Sequence, residues 1–170
     1  MTNLSRVELH KSAQIAASAS EVWDLLSDWA GMQRWWLTAE QGGLAGPTLV
    51  ACGLVGEHGA VPRTRRMMLD NGAIVEEQIF YQNDETRRLY YKKSESAGSD
   101  VSGYVASAYV DEIDGDHCLM HVSSWFDLRS PADVPAAAAR FEAIYQAIFD
   151  GFQNYFSKAV AGADHGVIRG

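Results

Sequence analysis

Residues 135–160 read PAAAARFEAIYQAIFDGFQNYFSKAV, and within them Phe141, Ile144, Tyr145, Ile148, Phe149, Phe152, Tyr155 and Phe156 recur at intervals of three and four. Such spacing gathers the apolar side chains into one stripe, so the stretch predicts a long amphipathic helix that must lie on a partner surface. Asp133 ahead of Pro135 suits the helix start, and Gly162 lies beyond its expected end near Val160. At 1.5 Å per residue the helix spans about 39 Å, enough to cross a whole sheet. Gly151 interrupts it at a cost of about 1 kcal/mol relative to alanine. Either something approaches too closely for a side chain there, or the position is a tolerated surface glycine.

The partner surface is read upstream. Val7, Leu9, Ala13 and Ile15 alternate with Glu8, His10, Ser12 and Gln14, the period of a strand with one wet face. Ser18 followed by Glu21 forms a capping box ahead of Val22, Trp23, Leu25 and Leu26, which predicts a short helix. Asp28 is the expected cap of a second short helix carrying Met32, Trp35 and Trp36. From Thr48 onward the chain reads as strands: Thr48–Val55, Pro62–Leu69, Ile74–Gln82, Arg88–Ser94, Tyr104–Ile113 and Cys118–Phe126. Asp70-Asn71-Gly72 and Asp114-Gly115-Asp116 supply hairpin chemistry, so neighbouring strands should run antiparallel. Ser96–Ser102 reads as a mobile connection. The fold class that results is α+β: a curved antiparallel sheet of about seven strands, two short helices after the first strand, and a long terminal helix gripping the sheet.

Of the 170 residues 47% are apolar and the net charge is -8, so one sizeable core is affordable and the mean field repels nucleic acid and anionic membranes. No linker or repeat divides the chain, which is read as one domain over 1–170 with its core at about 7–160 and a flexible tail at 161–170. The polar start and the lack of a long apolar run predict a cytoplasmic protein without stable membrane insertion. Cys52 and Cys118 stand outside any metal or redox spacing and read as small buried hydrophobes. Motifs for zinc proteases, serine hydrolases, nucleotides and dinucleotides are absent, and the DEIDGD run lacks the closing glutamate of a calcium loop. No metal and no cofactor is expected.

This order of elements resembles the START-like (SRPBCC) superfamily, to which the birch pollen allergen belongs. ASASEVWDLLSDWAGMQRWW, residues 17–36, looks like the opening helices of that superfamily. RRMMLDNGAIVEEQIFYQND, then RRLYYKK, then SGYVASAYV, resembles its polyketide cyclase/dehydrase branch in the spacing of arginine, turn glycine, glutamate and tyrosines. The stretch from Glu77 to Tyr104 is also similar to plant abscisic-acid receptors. The resemblance implies a cavity between sheet and helix, with the glutamate at position 77 pointing into it.

Strand alternation then extends that one direction into a wall. Val75, Glu77, Ile79 and Tyr81 share a face, as do Arg65, Met67 and Leu69, then Leu89, Tyr91 and Lys93, then Tyr104, Ala106 and Ala108. A two-residue Gly115-Asp116 turn adds His121, Ser123 and Trp125, whereas a three-residue turn would select Met120, Val122 and Phe126 instead. Phe141, Tyr145, Phe149 and Phe152 face the sheet from the helix, and Trp35 joins them from the second short helix.

Such a wall, aromatic and aliphatic with a few convergent polar groups, suits a small hydrophobic ligand: aromatic, polyketide-like or lipid-like. Inward-facing Arg65, Glu77, Lys93 and His121 need partners, so Glu77 with Arg65 or Lys93 is either an internal ion pair or a ligand anchor. The same cavity would also serve a cyclase, dehydratase or isomerase with Glu77 as base and Tyr81, Tyr104 or His121 as proton donor. A vestigial pocket in an interaction protein is the third reading. Monomer and homodimer are equally compatible with the sequence.

Overall fold

The computed structural model describes residues 4–56, 60–95 and 99–164. Strand β1 (Ser5–Ile15) leads into helix α1 (Ala19–Ser27), and the strands β2 (Leu49–Val55), β3 (Arg63–Leu69), β4 (Ile74–Asn83), β5 (Arg88–Lys93), β6 (Val101–Glu112) and β7 (Cys118–Leu128) precede helix α2 (Val134–Asp164). Single 3-10 turns occupy Gly31–Arg34, Ala39–Gln41 and Pro131–Asp133. All seven strands pair antiparallel in the order β1-β7-β6-β5-β4-β3-β2, so the hairpins read from the sequence are neighbours in space.

Local chemistry explains the elements. Ser18 and Glu21 complete the capping box of α1: the Glu21 amide donates to Ser18 Oγ, and the Ser18 amide donates to Glu21 Oε2 at 3.1 Å. Asp28, however, ends α1 instead of capping the next turn. Its amide donates to the Asp24 carbonyl and its carboxylate accepts from Arg34 at 2.9 Å, so the side chain is occupied elsewhere. The Gly31–Arg34 turn consequently has no side-chain cap.

Helix α2 runs through Asp164 and is about 46 Å long, so the helical pattern outlasts Gly162 and takes in four of the residues read as tail. Residues 165–170 lie outside the described residues. Strand β6 begins at Val101, which shortens the expected connection from Ser96; positions 96–98 are likewise outside the description.

Two irregularities decide which way side chains point. In β4, Ile79 pairs with Tyr91 but Tyr81 pairs with Tyr90, so Phe80 and Tyr81 share one partner in a β-bulge. At the other end, Ile113 and His117 close a three-residue loop, in which Asp114 Oδ1 accepts from the Asp116 amide at 2.9 Å and lies 2.9 Å from His117 Nδ1. That clasp sets the β6–β7 register at Ala106 with Ser124, Ala108 with Val122 and Val110 with Met120.

The core lies between the concave sheet face and the helices. Phe126, Phe149, Phe152, Ile15, Ile79, Leu89 and Met120 are fully enclosed there. Gly151 belongs to this packing: a Cβ on it would stand 2.4 Å from the Trp35 carbonyl oxygen and 3.1 Å from the Trp35 ring. Close approach is therefore the reason for the glycine, and the helix propensity lost there is exchanged for contact with the 3-10 turn.

Candidate functional site

A cavity of about 290 Å³ opens between the first half of α2 and strands β3 to β5. Phe141, Ile144, Tyr145 and Ile148 form its helix wall, spaced so that successive turns present one row. Met67, Leu69, Val75 and Tyr91 form the sheet wall, and Trp35, Trp36 and the Leu44–Pro47 segment border it from the connection after α1.

Three side chains that carry formal charges interrupt this apolar lining: Arg65, Glu77 and Lys93. Arg65 and Glu77 face one another across the β3–β4 pairing. The Arg65 Nε and Nη2 both donate to Glu77 Oε2, the first at 3.0 Å, with only 9% and 14% of the two side chains exposed. Arg65 also lies over the Trp29 ring, 3.7 Å from its centroid, while the Trp29 indole donates to the Glu77 carbonyl at 3.0 Å. Fork, ring and backbone together lock the pair, as burying two charges demands. Of the alternatives left open by the sequence, the ion pair of Glu77 is with Arg65.

A second polar feature runs through hydroxyl groups. Tyr104 Oη lies 3.0 Å from Tyr145 Oη, and Tyr145 donates in turn to Ser124 Oγ. The G1-type bulge that turns Tyr104 inward rests on Gly103, whose φ of 60° a side chain would strain. Burial pushes the phenols of Tyr91, Tyr104 and Tyr145 above the ordinary tyrosine range, so all three stay protonated and can donate a hydrogen bond at neutral pH.

Most of the expected wall faces inward, but it divides into two groups. Trp35, Arg65, Met67, Glu77, Tyr91, Lys93, Tyr104, Phe141 and Tyr145 border the cavity. Ile79, Leu89, Ala106, Phe149 and Phe152 are buried in solid core away from it. Four expected residues are on the convex face instead. Tyr81 is turned outward by the β4 bulge and is 45% exposed. His121, Ser123 and Trp125 face out because the loop has three residues rather than two, and a one-residue slip reverses a whole strand. His121 stacks on Tyr109 at 4.2 Å and Ser123 bonds His10 at 2.7 Å, while Trp125 packs edge-on against Tyr90. Neither His121 nor Tyr81 can serve as a proton donor to the cavity.

Ser124, Ile144 and Ile148 are the site residues the sequence reading missed. The three-residue alternative for the loop selects the face that carries Ser124, and both isoleucines belong to the α2 stripe. Met32, Trp36, Leu44, Ala45 and Pro47 come from irregular chain, which has no period to read.

A seven-stranded antiparallel sheet gripped by a long C-terminal helix, with a cavity between them, defines a helix-grip protein of the START type. The chain belongs to the family described as polyketide cyclase / dehydrase and lipid transport, which matches residues 6–157. Its fold is similar to that of a START superfamily protein from Mycobacterium smegmatis, with a TM-score of 0.70 at 11% identity over 89% of this chain and 98% of that one. The di-domain ARO/CYC BexL of the BE-7585A biosynthetic pathway gives a TM-score of 0.72 at 12% identity, covering 89% of this chain and 46% of BexL. Norcoclaurine synthase from Thalictrum flavum gives 0.66 at 18%, covering 90% and 94%. At these identities the likenesses speak for the fold alone. No curated protein sequence matches the chain.

Proposed function

We propose that this protein binds a small hydrophobic molecule, aromatic, polyketide-like or lipid-like, in the cavity beneath α2. The observation that carries the reading is an apolar void of about 290 Å³ in an otherwise close-packed interior. Protein interiors leave few voids larger than a water molecule, and an unfilled wall forgoes its dispersion contacts, so a retained cavity of this size points to an occupant. It lies near the lower end of ordinary ligand pockets, which favours a compact ligand. The family's description supports the same class.

Narrowing the cavity tests this. Ile144→Trp replaces a half-buried wall residue with a ring that projects into the void. Titration with a neutral apolar dye, N-phenyl-1-naphthylamine, should show saturable binding to the native protein and at least a tenfold loss in the variant, at unchanged melting temperature. Failure of the native protein to bind any apolar probe would overturn the reading.

A second reading, acid/base chemistry on the bound molecule, is favoured by the Tyr104–Tyr145–Ser124 chain, which brings neutral donors to an apolar wall. Both bonds from Arg65 use Oε2 of Glu77, so Oε1 makes no hydrogen bond among the described residues and could accept a proton. Under that reading Glu77→Gln leaves binding largely intact but lowers turnover about 100-fold or more.

A further inference from the structure

The charges around the cavity do not cancel. Arg65 contributes +1, Glu77 contributes -1 and Lys93 contributes +1, leaving +1 on the wall of a protein whose formal net charge is -8. The three lining tyrosines are neutral. Lys93 stands directly across from Glu77 in the β4–β5 pairing, yet Glu77 is engaged by Arg65 through two nitrogens. Among the described residues, no carboxylate lies within 4.0 Å of the Lys93 ammonium and none makes a hydrogen bond to it. Lys93 is half-buried at a small cleft that adjoins the cavity and that it shares with Val101, Gly103, Tyr104 and Glu95, whose Oε1 accepts from the Gly103 amide at 3.3 Å.

From this we infer that the ligand is an amphipathic acid whose anionic group, a carboxylate or an isosteric oxyanion, pairs with Lys93 while its apolar body fills the space under α2. The inference rests on the ligand-binding reading above and adds the charge of the ligand to it. A half-buried cation facing apolar surface gains most from an anion that arrives with its own hydrophobic body, because binding then desolvates both and satisfies both. The Arg65 fork cannot take that role without releasing Glu77, so the discriminating cation is Lys93.

The experiment uses naphthalene-2-carboxylate and its methyl ester, which share a ring system and differ in charge. Binding to the full chain is followed by quenching of tryptophan emission, since Trp35 and Trp36 border the cavity. The native protein should prefer the carboxylate by about tenfold or more, and the preference should shrink as salt is raised. Lys93→Met should abolish the preference by weakening the acid alone, Lys93→Arg should restore most of it, and ester affinity should stay level throughout. If both probes bind and Lys93→Met changes their affinities equally or not at all, the acidic-ligand inference is wrong while the cavity reading stands. If neither probe nor the neutral dye binds, the cavity reading itself fails.

Discussion

The two halves of α2 cover the same sheet but bury different things. From Phe141 to Ile148 the helix looks into a void; from Phe149 onward, Phe149 and Phe152 are fully enclosed, and Phe152 meets Trp35 at 4.8 Å. What separates the halves is the layer between them. The second half is tied to β1, where Gln153 donates to the Gln14 carbonyl at 3.1 Å, and to the Trp35 ring, whereas the first half has the Trp35–Trp36 turn and the Leu44–Pro47 segment bordering a space they leave open. Close packing is thereby confined to one half of the helix, and the proposed binding falls to the other.

Truncation of side chains at the two ends should break or confirm that assignment. Phe149→Ala removes a fully buried ring from close-packed surroundings and should cost about 3 to 5 kcal/mol. Ile144→Ala only enlarges an existing void and should cost less than about 2 kcal/mol, as measured by urea denaturation with unchanged m-value. Equal costs at the two positions would mean the void is closed in solution.

A smaller effect is expected at the boundary. Tyr145→Phe deletes the central hydroxyl of the Tyr104–Tyr145–Ser124 chain, leaving Ser124 without its donor, and should cost about 1 to 2 kcal/mol. Because Tyr145 also lines the void, the same variant should change probe affinity. An effect on stability alone would move Tyr145 to the packed half.

The smallest effect serves as a control on the convex face, remote from both halves. Burial holds the His121 imidazolium below its ordinary pKa of about 6.5, opposed by Asp111 and reinforced by His10 and Arg88. The unfolded chain therefore binds the proton more readily, and stability should fall as pH drops below about 6.5. His121→Gln should flatten the melting temperature between pH 6.5 and 5 relative to the native protein. Neutral-dye affinity in that variant should stay at the native value, since His121 does not reach the cavity.

The architecture was legible in the sequence because it is written in periods. The α2 stripe, the β1 alternation and the Ser18–Glu21 box each state a local preference that packing later satisfies. Inward direction was legible only where those periods run uninterrupted. With Glu77 as the anchor that the resemblance supplied, alternation points Arg65, Met67, Tyr91 and Lys93 inward, and these residues border the cavity. Tyr81 failed because a bulge adds a residue without leaving a compositional mark, and His121 failed because a glycine-containing turn reads the same with two residues or three. The clasp that decides it, Asp114 on the Asp116 amide, is a side-chain geometry and has no signature in spacing. The void itself was expected from the resemblance, but its bounds were not legible, because they depend on what the aperiodic Leu44–Pro47 segment leaves unfilled.

The hydrogen atom that stands for a side chain at Gly151 ties the shape of the void to a position that does not line it. Trp35 meets the helix backbone there and borders the void with its other edge, so the ring is held in place from behind. A methyl group at 151 would stand 2.4 Å from the Trp35 carbonyl oxygen, so the turn that carries Trp35 or the helix would have to shift and reshape the void from outside its wall. The width of this void is therefore set by the contact behind its wall as well as by the residues that face it.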